Sequence, residues 1–319
     1  MSLELEKINC PLCGAEKSEL FLKTRDRFNL KGEFKFEIVT CAGCKFTFLN
    51  PRPTPESISA FYESEDYQPF LSTQSGLTFW DRIYLTVRSF TLAGKRRKIS
   101  KLKSSGSILD MGCGTGEFLH EMQQHGWRVE GLEMEKKAAE FARTEYNLSV
   151  RTQELQDCYF PDKSFDVITL WHVLEHLYEP KESLKKMRNL LKDDGFILIA
   201  VPNISSFDAR FYKKNWIALD APRHLFHFTP ETMRAFCKTA GLVIKKFYQL
   251  PMDAFFNCLM SERIILKNNA FGKLLSPLYF LRGFSTANIS IFESLRLGRQ
   301  KKRLGSSILY FVQKQEELS

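Results

Sequence analysis

The stretch from Ala221 to Pro230 reads APRHLFHFTP, so Arg223, His224 and His227 alternate with Leu225, Phe226 and Phe228. An imidazole that titrates near neutrality can take a proton or bind a metal, and a guanidinium can clamp a carboxylate or phosphate through paired hydrogen bonds. Three readings compete: a metal site, a base and anion clamp over a substrate, or a polar loop ahead of a helix. Thr229, Pro230 and Glu231 supply an N-cap, a first-turn proline and an early acid for the helical pattern PETMRAFCKTAG. For a metal on His224 and His227, no third ligand of matching spacing lies nearby in the sequence.

Four of the eight cysteines form two pairs, Cys10 and Cys13 in CPLCG and Cys41 and Cys44 in CAGCK. Each knuckle carries a glycine that lets the chain turn so that amides approach the sulfurs. The strand pattern EFKFEIVT lies between them, and the spacing matches a zinc ribbon. A segment this short buries too little apolar surface to fold comfortably alone, so Zn2+ on four thiolates would be structural. Cys113, Cys158, Cys237 and Cys258 lie singly in apolar segments, which fits a reducing compartment.

A third cluster is LDMGCGTG. Gly112, Gly114 and Gly116 follow an apolar strand and would let the backbone pass close to a nucleotide cofactor at a helix start. The dinucleotide fingerprint wants a small residue where Glu117 stands, and a carboxylate there would repel a pyrophosphate, which argues against NAD. Asp110 instead suits a cofactor that brings an ammonium and a sulfonium.

These motifs need a frame that presents them on one rim. From Ser107 onward strand and helix patterns alternate: SILDM, GEFLHEMQQHG, RVEGLE, KKAAEFARTEY, LSVRT, FDVITLW, PKESLKKMRNLLKDDG and FILIAVPN, with LVIKKFY and SSILYFVQK completing seven strands. The expectation is an α/β fold, a Rossmann-like sheet with helices on both faces and ligands outside the carboxyl ends of its strands. We divide the chain into a ribbon and stiff Pro-rich linker (1–55), a helical part (56–103), a Rossmann-like core (104–249 and 307–319) and a cap insertion (250–306). The helical part carries an amphipathic pattern over 77–102, with Trp80, Ile83, Tyr84, Val87 and Phe90 on one stripe.

Over Ser107 to Val201 the chain resembles the class I S-adenosylmethionine (SAM) methyltransferases. SFDVITLWHVLEHLYEP is similar to a branch typified by quinone-biosynthesis O-methyltransferases and by methyltransferases of polysaccharide and sugar-nucleotide pathways. The resemblance implies that Asp110 and Gly112, with Gly114 and Gly116, line the methionine end of SAM, and that Glu133 takes the ribose hydroxyls. A carboxylate with two acceptor oxygens suits a diol. It also implies Glu154 and the backbone of Leu155 at the adenine edge, although Glu154 replaces the usual aspartate. Trp171 and His172 would stand where methyl and acceptor meet. A similar P-R-H-L-x-H-F segment closes over the active site in that branch, which makes His224 the leading candidate base and His172 the second. Arg223 would pair with a substrate anion or with Asp220. The alternative is that His224 and His227 only position a lid, with Phe226 and Phe228 as its anchors. His172, Glu175 and His176 also spell H-x-x-E-H, a zinc-protease motif in another fold, but here the first histidine ends a strand; His176 reads as a tie between the helix start and a neighbouring loop.

The formal charge is +9 over 319 residues, and nine Lys/Arg face three acids between Pro251 and Gly305. That insertion would cap an acceptor pocket, dimerise, lie on an anionic membrane face, or simply extend the core. The expected activity is O-methylation of a sugar nucleotide, glycan or lipid-linked intermediate. Alternatives are a quinone-type small molecule, rRNA or tRNA, or a catalytically inactive SAM-fold binding module. Neither a signal peptide nor a spanning segment is evident, so a cytoplasmic protein with peripheral contact at the inner membrane face is expected.

Overall fold

The computed structural model describes residues 3–28, 34–62, 91–267, 272–298 and 305–316. Its centre is the expected seven-stranded sheet: β6 (Ser107–Met111), β7 (Arg128–Leu132), β8 (Val150–Arg151), β9 (Phe165–Trp171), β10 (Leu191–Pro202), β12 (Leu242–Gln249) and β13 (Ser307–Lys314). The spatial order is β12-β13-β10-β9-β6-β7-β8, with β13 antiparallel to both of its neighbours. Helices α1 (Glu117–Gln123), α2 (Lys136–Tyr146), α3 (Pro180–Leu190) and α5 (Pro230–Thr239) follow β6, β7, β9 and the post-β10 segment. Two apolar clusters, one built around Ile168, Ile199 and Phe236 and one around Ile108, Leu119 and Leu198, form the buried core. Near-continuous apolar runs such as FDVITLW and FILIAV fit strands covered on both sides.

Two element boundaries differ from the sequence expectation. Helix α3 stops at Leu190, and β10 begins at Leu191, five residues before the apolar run. Leu191 pairs with Phe165, and the register shifts before Phe196, so the chain enters the sheet at Leu191 and is irregular over Lys192 to Gly195. Of the helix expected over 77–102, residues 91–100 are helical, while Trp80, Ile83, Tyr84, Val87 and Phe90 fall outside the described residues.

The Pro-rich segment is not a free extended linker. Arg52 and Pro53 form β5, which pairs with β1 (Leu5–Glu6), and the Asn50-Pro51 bond is cis. Arg52 is buried: it donates to Glu6 at 2.7 Å and to the Tyr178 carbonyl at 3.2 Å, and it lies over the Tyr178 ring.

The ribbon sheet consists of β2 (Ser18–Thr24), β3 (Phe36–Cys41) and β4 (Thr47–Leu49), and a fourth strand joins it from far along the chain. This is β11 (Phe226–His227), the middle of APRHLFHFTP, with Phe226 opposite Phe48 and His227 opposite Thr47. Phe46, Phe48, Phe226, Phe228 and Phe236 pack behind that pair; Phe46 lies 4.8 Å from Phe236 and 5.5 Å from Phe228 between ring centroids. The expected anchoring role of Phe226 and Phe228 therefore takes a specific form, a shared core between ribbon and methyltransferase-like sheet.

Helices α6 (Pro251–Lys267) and α7 (Gly272–Gly298) make up the insertion and pack together against α4 (Phe207–Tyr212). Polar groups lock this junction: buried Asp208 accepts from Trp216 Nε1 at 2.8 Å, Ser290 at 2.9 Å and Ser306 at 2.5 Å. Glu262 accepts from Tyr212 Oη and from Arg282, each at 2.8 Å. Outward, α7 exposes Leu278, Leu281, Phe284, Phe292 and Leu295. Among the described residues no helix is long and apolar enough to cross a membrane.

Truncating Phe226 to Ala is expected to cost about 3–5 kcal/mol in urea unfolding, because its side chain fills a core shared by two sheets. Asp166 gives a pH-dependent contribution. Burial opposes its ionisation, but Lys103 at 2.6 Å, Lys192 at 2.7 Å and the Ser107 amide at 2.8 Å bring its pKa down to about 2. The depressed carboxyl contributes stability that is fully present above its ordinary value of about 4 and lost as pH falls through about 2. Asp166→Asn should lower stability at neutral pH and flatten the dependence in that window.

Candidate active site

Strand β6 carries Asp110 to its carboxyl end, where the side chain is buried and accepts from Thr169 Oγ1 on the adjacent β9. The backbone then turns through Gly112, Gly114 and Gly116 at φ +63°, +58° and +84°, and Gly116 caps α1. A Cβ on Gly112 would stand 2.7 Å from Val173 Cγ2, and one on Gly116 would stand 2.6 Å from Leu148 Cδ1. Only glycine allows this turn and this approach together. At the end of β7, Glu133 Oε2 accepts from the Gly114 amide at 2.8 Å and Oε1 from the Glu135 amide at 2.8 Å. The turn and the carboxylate thus hold each other in place.

Burial pushes the Asp110 carboxyl up to about 7, with the Glu133 charge adding to the effect and Thr169 and Lys95 opposing it. Burial also raises Glu133. Two carboxyls that bear this desolvation cost favour a ligand with positive charge between them, which fits the ammonium and sulfonium of SAM and not a pyrophosphate. Trp171 borders the same region: its ring meets Phe118 edge-on at 5.4 Å, Lys95 Nζ lies 4.1 Å above it, and its buried Nε1 has no hydrogen-bond partner among the described residues. Leu155 is buried, whereas Glu154 is exposed at the start of a short 3-10 turn.

His172 directly follows β9 with φ +59°, a left-handed conformation that a non-glycine residue holds only when its surroundings impose it. Its Nε2 lies 3.0 Å from Asp253 Oδ2 on α6, and its Nδ1 lies 3.6 Å from Glu175 Oε1. Burial works against the charged imidazole, but the two carboxylates outweigh it and raise the pKa to about 10. In this arrangement His172 carries its proton at neutral pH and is a cationic partner of Asp253, not a free base.

His224 is buried, and its Nδ1 lies 2.8 Å from the Ala218 carbonyl oxygen. A carbonyl only accepts, so Nδ1 carries the proton and Nε2 keeps its lone pair. Burial lowers the His224 pKa, which favours the neutral ring. The His176 ring meets it edge-on at 4.6 Å, and His176 Nδ1 lies 3.0 Å from Tyr62 Oη. Glu175 stands between the two segments of this site. Its backbone carbonyl accepts from Leu225 at 2.9 Å, while its carboxylate is 0% exposed with neither oxygen hydrogen-bonded among the described residues.

Arg223 takes the Asp220 pairing and not an open position over a substrate. It is 0% exposed and donates to Asp220 Oδ1 at 2.7 Å and to Asp26 Oδ1 at 2.6 Å, with its guanidinium over the Phe28 ring. Arg27 also reaches Asp220, at 2.9 Å. His227 is a buried strand residue whose pKa burial lowers to about 3. Outside this network a cleft of about 720 Å3 opens, lined by Lys23, Arg25, Arg27, Lys35, Lys214 and Trp216 among others.

The four ribbon sulfurs lie within 4.8 Å of one another, with Cys10 to Cys44 at 3.4 Å and Cys13 to Cys41 at 3.6 Å. These separations fit tetrahedral thiolate ligation of a metal. The turn after each knuckle is left-handed at Gly14 (φ +78°) and Lys45 (φ +62°). Gly43, inside the second knuckle, is thus not the residue that makes that turn.

Five participants carried no clear sequence signal: Tyr62, Lys95, Asp26, Asp253 and Glu175. The first four reach the site only through folding, and Glu175 was legible only as part of H-x-x-E-H.

Residues 86–246 match a family model described as a methyltransferase domain. The chain is 35% identical over 106 residues to a ubiquinone biosynthesis O-methyltransferase of Glaesserella parasuis, covering 30% of this chain and 45% of that one. It is 32% identical over 116 residues to an uncharacterized protein of Methanocaldococcus jannaschii, covering 36% of this chain and 43% of the relative. The matched region thus spans somewhat less than half the length of these curated relatives. Among solved structures, a SAM-dependent methyltransferase from Archaeoglobus fulgidus superimposes with TM-score 0.45 at 19% identity, covering 72% of this chain and 94% of that one. One from Mesorhizobium loti gives TM-score 0.44 at 16% identity, covering 69% and 96%.

Replacing Arg223 by Met should destabilise the fold by about 3–5 kcal/mol, because Asp26 would be left as an uncompensated buried charge and Asp220 would keep only Arg27. The check is urea unfolding of R223M beside D26N/R223M, in which the second change should recover part of the loss.

Proposed function

Since the chain belongs to the methyltransferase-domain family, we propose that it is a SAM-dependent O-methyltransferase whose acceptor is an anionic sugar nucleotide, glycan or lipid-linked intermediate. The observation that carries the acceptor class is the cleft beside the Asp220–His224 loop, where Lys23, Arg25, Arg27, Lys35 and Lys214 gather around Trp216. A diphosphate or acidic glycan finds positive charge there.

SAM, when bound, supplies a methyl group on a sulfonium set for in-line displacement. Asp110, the turn of Gly112, Gly114 and Gly116, and Glu133 would hold it, with Leu155, Trp171 and the start of the Glu154 turn around the base and methyl ends. The protein's own share is alignment and removal of the acceptor proton. His224 removes the proton, since it presents the lone pair of Nε2 and is fixed in rotation by the Ala218 carbonyl. Arg223 positions His224 from behind, because its bonds to Asp220 and Asp26 fix the turn that His224 ends.

A quinone-type acceptor is the second reading, supported by the names of the relatives in Glaesserella parasuis and Coxiella burnetii. The two separate on charge. With tritiated-methyl SAM and fractionated cell extract, an anionic acceptor should put label in material retained on an anion exchanger, and K23E/R25E should reduce that transfer about tenfold or more. Label that partitions into organic solvent and ignores K23E/R25E would replace the first reading with the second, and label in RNA would replace both. Folded protein that neither binds SAM nor transfers label would make the chain a binding module.

His224→Ala should lower turnover by about 100-fold or more with little change in SAM affinity measured by calorimetry. Equal loss of both would reduce His224 to a lid residue.

We also infer that Cys10, Cys13, Cys41 and Cys44 hold a structural Zn2+, since four thiolates close the coordination sphere. Cys41→Ser should remove about one equivalent of zinc and lower the melting temperature of the whole chain, because β11 is part of the ribbon sheet.

A further inference from the structure

The cluster beside His224 has a chemistry of its own. Glu175, His176 and His224 each offer a ligand atom, and these atoms lie within 4.8 Å of one another. Two come from the turn after β9, and the third comes from the loop that β11 ties to the ribbon. The juxtaposition is therefore made by tertiary structure and is invisible as a spacing.

Three features set this cluster apart from an ordinary buried polar group. Among the described residues neither oxygen of the fully buried Glu175 carboxylate has a hydrogen-bond partner, which is costly, and His172 Nδ1 lies 3.6 Å away. Each histidine has its Nδ1 taken by an outer oxygen, His224 by the Ala218 carbonyl at 2.8 Å and His176 by the Tyr62 hydroxyl at 3.0 Å. Ligating histidines are oriented in this way, and the His176 ring also meets the Arg223 backbone, which a bound ion would displace. Finally, His176 is only partly buried and His172 is 38% exposed, so an ion and an oxygen ligand have a way in.

We propose that Glu175, His176 and His224 form a binding site for a divalent first-row transition-metal cation such as Zn2+. One carboxylate and two imidazoles favour such an ion over Mg2+ or Ca2+, which prefer all-oxygen shells. Three protein ligands also leave a position open, unlike the thiolate set of the ribbon. Resting on the methyltransferase reading but replacing His224 as the direct base, the ion would hold the acceptor oxygen and make its proton easier to lose to solvent. His224 would then act through the ion. Metal binding itself is independent of that reading and is measured without SAM or acceptor.

The test uses the full chain, stripped by chelator and titrated with Zn2+ by calorimetry and with Co2+ by absorption. Two equivalents are expected, one giving sulfur-to-metal charge-transfer bands and one showing only the weak ligand-field bands of nitrogen and oxygen donors. Glu175→Gln should abolish the second equivalent and keep the first. Tyr62→Phe, a milder change outside the three ligands, should weaken the second by about 10–100-fold. Excess Mg2+ should not compete. Saturation of the native chain at one equivalent with thiolate bands alone would overturn the proposal. So would two equivalents of unchanged affinity in both E175Q and Y62F.

Discussion

The site depends on a short antiparallel pairing between two segments almost 180 residues apart in sequence, Phe48 with Phe226 and Thr47 with His227. On its own a two-residue strand is negligible, but this one lies over Phe46, Phe228 and Phe236, so the ladder and the aromatic core reinforce each other. Everything of chemical interest in APRHLFHFTP is suspended from that pair. Upstream of it the chain turns at Asp220, with Arg223 buried between Asp220 and Asp26; inside the same turn His224 faces Ala218 and His176. The ribbon is therefore a wall of the site and not an appendage. Its metal would stabilise the sheet whose last strand follows His224.

Charge is arranged in two tiers around this frame. Asp110 and Glu133 form an acidic, desolvated floor at the ends of β6 and β7, suited to a cation. A separate cleft is lined by Lys23, Arg25, Lys35 and Lys214. His172, Asp253 and Glu175 make a chain of alternating sign that links α6 to the turn after β9.

The insertion contributes in an unexpected way. Its sequence reads as an apolar and basic cap, yet its first turn supplies Asp253 to His172, and its buried face supplies Ser261, Glu262 and Ser290 to the loop between β10 and β11. These are polar locks of the kind that fix one packing among several, since each leaves a buried group unsatisfied if the helices shift.

What the sequence determined by itself were the features that rest on local rules. Strand and helix periods marked the seven strands of the sheet, the glycines after β6 marked the tight turn into α1, the C-x-x-C spacing marked the four sulfurs, and Thr229-Pro230 marked the start of α5. Each depends on neighbours within a few residues, where side-chain period, backbone freedom and capping act. Tertiary structure decided the rest. It set Arg223 against Asp26, which lies 197 positions away, and so tied it into a buried ion pair in place of an open clamp. It brought Asp253 to His172 and left that imidazole protonated, and it joined His224 to Glu175 and His176, the partners that sequence spacing had denied it. Electrostatic and coordination contacts act over a few ångströms of space whatever the distance along the chain, so no reading of local pattern could have placed them.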